Sequence, residues 1–304
     1  MKLDPVKVEW IVKERLKGRK NTVVASSMGV STRRVQEILS EYRRTGAIPP
    51  LRRPGRKVVV APSEERELIS RAYGEQRASA CPLERSIHAK YGRRIPHDRI
   101  HRVLKEMGLA RDEPRKKERR KWVRYEREFS NSMWHADWTL LDGKGWLIAY
   151  LDDASRFIVG WGLFPEATSQ RSLEVLEKAI SKWGRPASIL TDRGIQFYAQ
   201  EAGDRLRGLT VFERYLIEQD IRHVLSRVNH PQTNGKVERF FGTVKAKMKW
   251  FSSVDELITW YNEVRIHMSL DWDRAETPHE AFVRKLPPKG KVIDERSGEA
   301  YRVD

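Results

Sequence analysis

Apolar positions recur at helical spacing over the first hundred residues and at strand spacing after that. Val8, Ile11, Val12 and Leu16 share one face of a helix that Asp4 caps, Pro5 opens and Gly18 closes. A second helix is predicted over 22–28 with Gly29 as the turn. A third starts at Ser31 and carries Val35, Ile38, Leu39 and Tyr42 along one stripe. Helix, tight glycine turn and arginine-bearing helix is the layout of a helix-turn-helix, so 1–50 reads as a DNA-binding domain with Arg33, Arg34 and Gln36 facing the groove. Proline and glycine forbid a helix over 51–62, where Arg52, Arg53, Arg56 and Lys57 suit either DNA contacts or a plain basic tether. Residues 63–112 follow a similar helical plan. Leu68, Ile69 and Ala72 face inward on its first helix, Pro82 opens the next, and Ile100, Val103, Leu104 and Met107 stripe the last. Arg99 and Arg102 lie off that stripe, within reach of DNA. A charged connector follows over 113–130, and the charged stretch 111–127 reads as an exposed helix.

From Met133 the pattern changes. Three apolar, aromatic-rich runs, 134–141, 146–152 and 157–164, are separated by the turn-forming segments 142–145 and 153–156. A helix follows over 169–183, then a short buried strand over 187–190 leading to Asp192. A helix near 197–206, a strand over 222–225 and a long helix from about 233 to 250 complete the region. Antiparallel strands followed by alternating helix and strand imply a mixed α/β sheet over 131–270, with 271–304 as a tail.

The chain has 304 residues, 59 Lys+Arg and 42 Asp+Glu. Residues 1–130 hold 34 basic and 17 acidic side chains, a balance of +17, and 131–304 hold 25 of each, a balance of zero. All the net positive charge therefore sits in the N-terminal 130 residues, as phosphate neutralisation would require. No run is apolar and long enough for a membrane helix, the first residues lack the apolar stretch of a signal peptide, and membrane partners are not expected. The one cysteine, Cys81, excludes an internal disulfide and a cysteine-based zinc site, and a reducing cytoplasmic setting is expected.

Three acids stand where a strand or helix would aim them at one point. Asp137 interrupts an apolar strand, where a carboxylate is costly unless it is paired or bound to a cation. Asp192 follows a buried strand, and Glu238 lies on a helix after the polar lead-in 229–236. Asp152 and Asp153 are alternatives for the first acid, although their place in a strand-to-strand turn favours a structural role. Lys236 and Arg239 flank Glu238, and Lys245 shares its helical face, so all three read as DNA backbone contacts or as a solvated basic face. His135 and His230 read equally as substrate contacts or structural histidines. Trp134, Trp138, Trp146 and Trp161 read as packing, and Trp250, Trp260 and Trp272 as candidates for stacking on unpaired bases.

The segments WHADWT, YLDDASRFIVGW, ILTDRGIQF and HPQTNGKVERFFGTVKAKM, in this order, resemble the catalytic core of the retroviral-integrase superfamily, and within it insertion-sequence transposases. The likeness covers about residues 131–280 and is most specific over 230–238. It implies a ribonuclease-H-like core preceded by two all-α helix-turn-helix domains. Asp137, Asp192 and Glu238 match the family's acidic triad, expected to hold two Mg²⁺ (or Mn²⁺) ions. The resemblance implies DNA cleavage and strand transfer at the terminal inverted repeats of a mobile element. The implied partners are double-stranded DNA of element ends and target, and further copies of the chain in at least a dimer. The implied setting is a prokaryotic, nucleoid-associated one. One departure is the 45 residues between Asp192 and Glu238, more than in the motif's commonest form. The surplus is expected in a surface connection over 199–215.

Overall fold

The computed structural model describes residues 3–51, 60–111, 126–199, 208–226 and 234–287, together with the backbone of two short strands, Lys291–Ile293 and Ala300–Arg302. The chain divides into two compact units, Met1–Val60 and Ala61–Asp304.

The first unit is a three-helix bundle. α1 (Pro5–Leu16) begins at Asp4, whose side chain accepts from Lys7 N at 2.9 Å, with Pro5 at the first helical position. α2 (Asn21–Met28) ends at Gly29, whose φ of 60° gives the tight turn. α3 (Thr32–Thr45) is capped by Ser31, which accepts from Arg34 N at 3.2 Å. Val8, Ile11, Val12, Val24, Ala25, Val35 and Ile38 form the shared core.

In the second unit, α4 (Ser63–Gln76), α5 (Ala80–Tyr91) and α6 (His97–Glu106) enclose Ile69, Leu83, Ile87, Ile100, Val103 and Leu104. Then come β1 (Trp134–Leu141), β2 (Gly145–Asp152), β3 (Ile158–Phe164), α7 (Ser169–Trp183), β4 (Ser188–Thr191), α8 (Val211–Glu218), β5 (Arg222–Leu225), α9 (Gly235–Lys247), α10 (Val254–Glu263) and α11 (Pro278–Arg284). The strands at 291–293 and 300–302, β6 and β7, pair antiparallel. The main sheet has the order β3-β2-β1-β4-β5. β1, β2 and β3 are antiparallel, while β4 runs parallel to both β1 and β5.

Each face of the sheet is covered. Trp134, Ala136, Trp138, Ile148 and Tyr150 pack with α7, α8 and Phe282 of α11 on one side. Leu147, Ala149 and Leu151 pack with α9 and α10 on the other. α7 lies so close to β3 that a Cβ on Gly160 would fall 2.8 Å from Ala179 Cβ, and one on Gly162 2.8 Å from Val175 Cγ2.

Of the segment expected as a surface connection, 199–215, the last five residues belong to α8, and 200–207 lie outside the described residues. Thr210 and Glu213 form a reciprocal capping box, and Phe212 and Leu216, one turn apart, enter the core. Of the helix expected near 197–206, the start is a turn in which Phe197 N and Tyr198 N donate to Gly194 O, and residues 200–207 lie outside the described ones. The expected exposed connector helix also falls mostly outside them. Among the described residues no helix is long and apolar enough to cross a membrane.

Candidate active site

Sheet register brings the first two acids together. Trp134 of β1 lies opposite Ile189 of β4, and His135 opposite Leu190. Two positions on from the second of these pairs stand Asp137, midway along β1, and Asp192, the residue that follows the end of the adjacent parallel strand β4. Trp134, Ala136 and Trp138 point into the core beneath α7, so the alternate positions His135 and Asp137 belong to the face that α9 covers. Glu238 occupies the first turn of α9 and is solvent-exposed.

The three carboxylates are close enough to feel one another. Burial, the charge of Asp192 and that of Glu238 push the Asp137 carboxyl up to about 7, against a hydrogen bond from Trp138 N at 2.8 Å. Asp192 Oδ1 accepts from Gly194 N at 2.9 Å. Among the described residues, none of the three has an ion-pair partner. Uncompensated oxygen donors beside one another are the set a hard divalent cation selects. The ligands are not closed into a finished cage: among the described residues no group of three His, Cys, Asp or Glu side chains is placed to hold a metal as it stands.

A buried polar chain fixes the start of α9 against the sheet. Asp153 lies in the β2–β3 turn, fully buried, and accepts from Lys236 Nζ at 2.5 Å, His135 Nε2 at 2.6 Å and Arg127 N at 2.7 Å. His135 Nδ1 is 3.2 Å from Asn234 Oδ1, and Asn234 Nδ2 donates to Ala136 O at 3.4 Å. The lead-in to Glu238 is thus clipped at Asn234 directly to the strand that carries Asp137, and at Lys236, through Asp153, to His135 of that strand. Burial raises the Asp153 carboxyl, but His135 and Lys236 outweigh it and hold the group well below the usual carboxylate range. Burial lowers the Lys236 ammonium to about 8 against the opposing pull of Asp153.

Asp152, the other alternative for the first acid, is also fully buried. It accepts from Asn131 N, Ser155 N and Ser155 Oγ at 2.8, 2.9 and 2.6 Å, which tie the turn together. Both acids of this pair are committed to structure. His135 is likewise a structural histidine, and His230 lies outside the described residues.

The other candidate residues are dispersed. Lys236 points inward to Asp153 rather than outward to a phosphate, because Asp153 needs a buried counter-charge. Arg239 and Lys245 are exposed on α9, with Gly242 open between them. Arg33 and Arg34 both reach Glu37, and Gln36 is exposed beside them. Arg99 Nη1 sits on both carboxylate oxygens of Glu65, at 3.0 and 2.9 Å, and Arg102 is half-buried on α6. Arg52, Arg53, Arg56 and Lys57 lie outside the described residues. Trp260, a candidate for base stacking, is buried against Phe251, and its Nε1 donates to Glu75 O at 2.7 Å. Trp250 stays partly exposed. Missed in the sequence were Asp153 and Asn234 as the clip. The i to i+2 pairing of Asn234 with Lys236 before Glu238 was the available signal.

This arrangement coincides with matches to known families. Two models described as "Integrase core domain" match residues 128–231 and 219–274, together spanning all three acids. An uncharacterized protein of Archaeoglobus fulgidus is 30% identical over 116 residues, covering 38% of this chain and 89% of its own. The chain belongs to the integrase-core superfamily. The transposase of transposon Tn552 from Staphylococcus aureus is 32% identical over 133 residues, 38% of this chain but only 26% of that protein. The chain therefore spans about a quarter of the length of that relative. Among solved structures, the simian T-cell lymphotropic virus intasome, in complex with a PP2A regulatory subunit, aligns at 20% identity. The alignment has a TM-score of 0.43 and covers 74% of this chain and 79% of that one.

Proposed function

We propose that this integrase-core protein is a DNA transposase that cuts the ends of a mobile element and joins them to target DNA. The observation that carries the reading is that the parallel pairing of β1 with β4 brings Asp137 of β1 near Asp192, just past β4, with the charges of both Asp192 and Glu238 of α9 felt at Asp137. Asp137, Asp192 and Glu238 would hold two divalent cations, Mg²⁺ or Mn²⁺. When bound, these supply charge neutralisation at the phosphate and a lowered pKa for the attacking oxygen. The similarity to a Tn552 transposase favours joining over simple hydrolysis.

In the first reaction, water attacks the phosphorus at an element end, one P–O bond forms, and the bond to the 3′-oxygen breaks to leave a 3′-hydroxyl. That hydroxyl then attacks a target phosphodiester, forming one P–O bond and breaking another. No serine or tyrosine nucleophile is required. The sheet holds Asp137 and Asp192 rigidly, and the clip at Asn234 and Lys236 sets where Glu238 meets them. The basic three-helix unit and α4–α6 serve as helix-turn-helix modules for the terminal repeats, and bringing two ends together needs at least two copies of the chain.

The test is a strand-transfer assay with Mg²⁺ or Mn²⁺ and labelled duplexes taken from the DNA flanking the reading frame. Joined products are expected. Cleavage without joining would make the protein a nuclease and overturn the proposal. Asp192→Asn is expected to abolish both reactions while DNA binding persists.

A further inference from the structure

α4–α6 do not stand apart from the catalytic sheet. Buried Gln76, at the end of α4, donates from Nε2 to Val264 O at 2.8 Å and accepts from Ile266 N at 3.1 Å, just past α10. Trp260 Nε1 donates to Glu75 O, Arg85 Nε to Trp272 O at 2.6 Å, and Lys247 Nζ to Arg77 O. The helical unit is therefore held in one place relative to α9 and α10.

At one end of this junction four cations gather. Arg77 follows α4, Lys247 ends α9, Lys249 lies in the 3-10 turn Met248–Trp250, and Arg265 follows α10. Burial and then the charges of Arg265, Lys249 and Arg77 lower the Lys247 ammonium, so the four cations crowd one another. Among the described residues, no acidic side chain pairs with any of them. Trp250 is 38% exposed at the centre, with the Arg77 guanidinium 4.7 Å and the Lys249 ammonium 5.3 Å from its ring centroid. The seam is continuous with the active site, because the exposed stripe Glu238, Gly242 and Lys245 runs along α9 into Lys249. Gly242 has open space where a side chain would stand.

We propose that Arg77, Lys247, Lys249 and Arg265, together with Lys245, form a phosphate-binding seam for the duplex whose end occupies the carboxylate triad. Unpaired cations at close quarters call for a polyanion, and the stripe from Glu238 leads one backbone strand to them. Eleven residues of helical rise separate Glu238 from Lys249, roughly 16 Å, so the seam grips phosphates about five base pairs from the one being cut. Because Arg77 comes from the helical unit and the rest from the core, the seam also fixes how far the recognised sequence lies from the cut. This rests on the transposase reading only for the identity of the duplex as an element end.

The test measures equilibrium binding of a fluorescein-labelled duplex of arbitrary sequence, long enough to span seam and triad, by anisotropy in Ca²⁺ between about 50 and 200 mM salt. The combined variant Arg77→Gln, Lys249→Gln and Arg265→Gln is expected to flatten the slope of log affinity against log salt by about 2 to 3. The matching variant Lys144→Gln, Lys178→Gln and Lys182→Gln, away from the seam, is expected to leave it unchanged. An unchanged slope in the seam variant, or equal flattening in both, overturns the proposal. Should the triple variant fail to fold, exposed Lys249→Gln alone is read against a flattening of about 1. A seam result as expected with no joined products in the strand-transfer assay would sink the transposase reading and leave the seam standing. The reverse pattern would sink the seam alone.

Discussion

Burial and the neighbouring charges of Asp192 and Glu238 push the Asp137 carboxyl up to about 7, and the consequence for stability has a definite sign. The folded chain holds that proton more tightly than the unfolded chain does, so the contribution is complete below about pH 4 and is lost as pH rises through 7. A shift of about three units corresponds to up to about 4 kcal/mol. In EDTA, Asp137→Asn is expected to melt above the parent at pH 8 and level with it at pH 4, as followed by thermal melting. Mg²⁺ is expected to raise the parent's midpoint at pH 8 and not the variant's; a variant less stable than the parent at pH 8 would refute this account. Lys236 belongs to the same scale. Lys236→Met leaves the buried Asp153 charge with only His135 and the Arg127 N–H as partners, and a loss of about 3–5 kcal/mol is expected in urea unfolding. The three acids were singled out through the segments around them, which resemble the integrase core, and not through their own local settings. The partner of Lys236 could not be read from the sequence, since Asp153 is 83 residues away and only the fold brings the two together.

Among the elements, the bounds of β1, α7 and β5 fall where the apolar runs and the flanking turn residues place them. α8 was read as surplus, although its signals were local: Thr210 and Glu213 at capping-box spacing, and Phe212 and Leu216 one turn apart. The longer gap between the second and third acids drew that stretch into a surface connection. In fact the gap is partly filled by a helix that packs against α7 and β5. The closeness of α7 to β3 was not legible either, because a glycine in a strand gives no hint of what lies above it. Gly160→Val places a branched side chain where Ala179 and Val175 already stand. Overpacking of this kind costs about 1–3 kcal/mol, and a melting midpoint no lower than the parent's would contradict the close packing described.

At the scale of the whole second unit, the division of charge was legible from counting alone, whereas the docking of α4–α6 onto the sheet domain was not. Gln76 has no sequence signature; it matters because Val264 O and Ile266 N meet it from 188 and 190 residues away. Gln76→Leu preserves the size of the side chain and the helical propensity of α4, but leaves the buried Ile266 N–H and the part-buried Val264 carbonyl without the partner they now have. Each such group costs about 1–3 kcal/mol, enough to weaken the docking without unfolding either partner, because the cores around Ile87 and Tyr150 do not involve it. Hydrogen exchange resolves this locally. The Ile266 amide and the Trp260 indole N–H are expected to lose protection in the variant, while amides of β1 and β2 keep theirs. Uniform loss across the sheet would mean that Gln76 supports the fold as a whole. Unchanged exchange at Ile266 would mean that other contacts, such as those of Arg85, hold the two parts together without it.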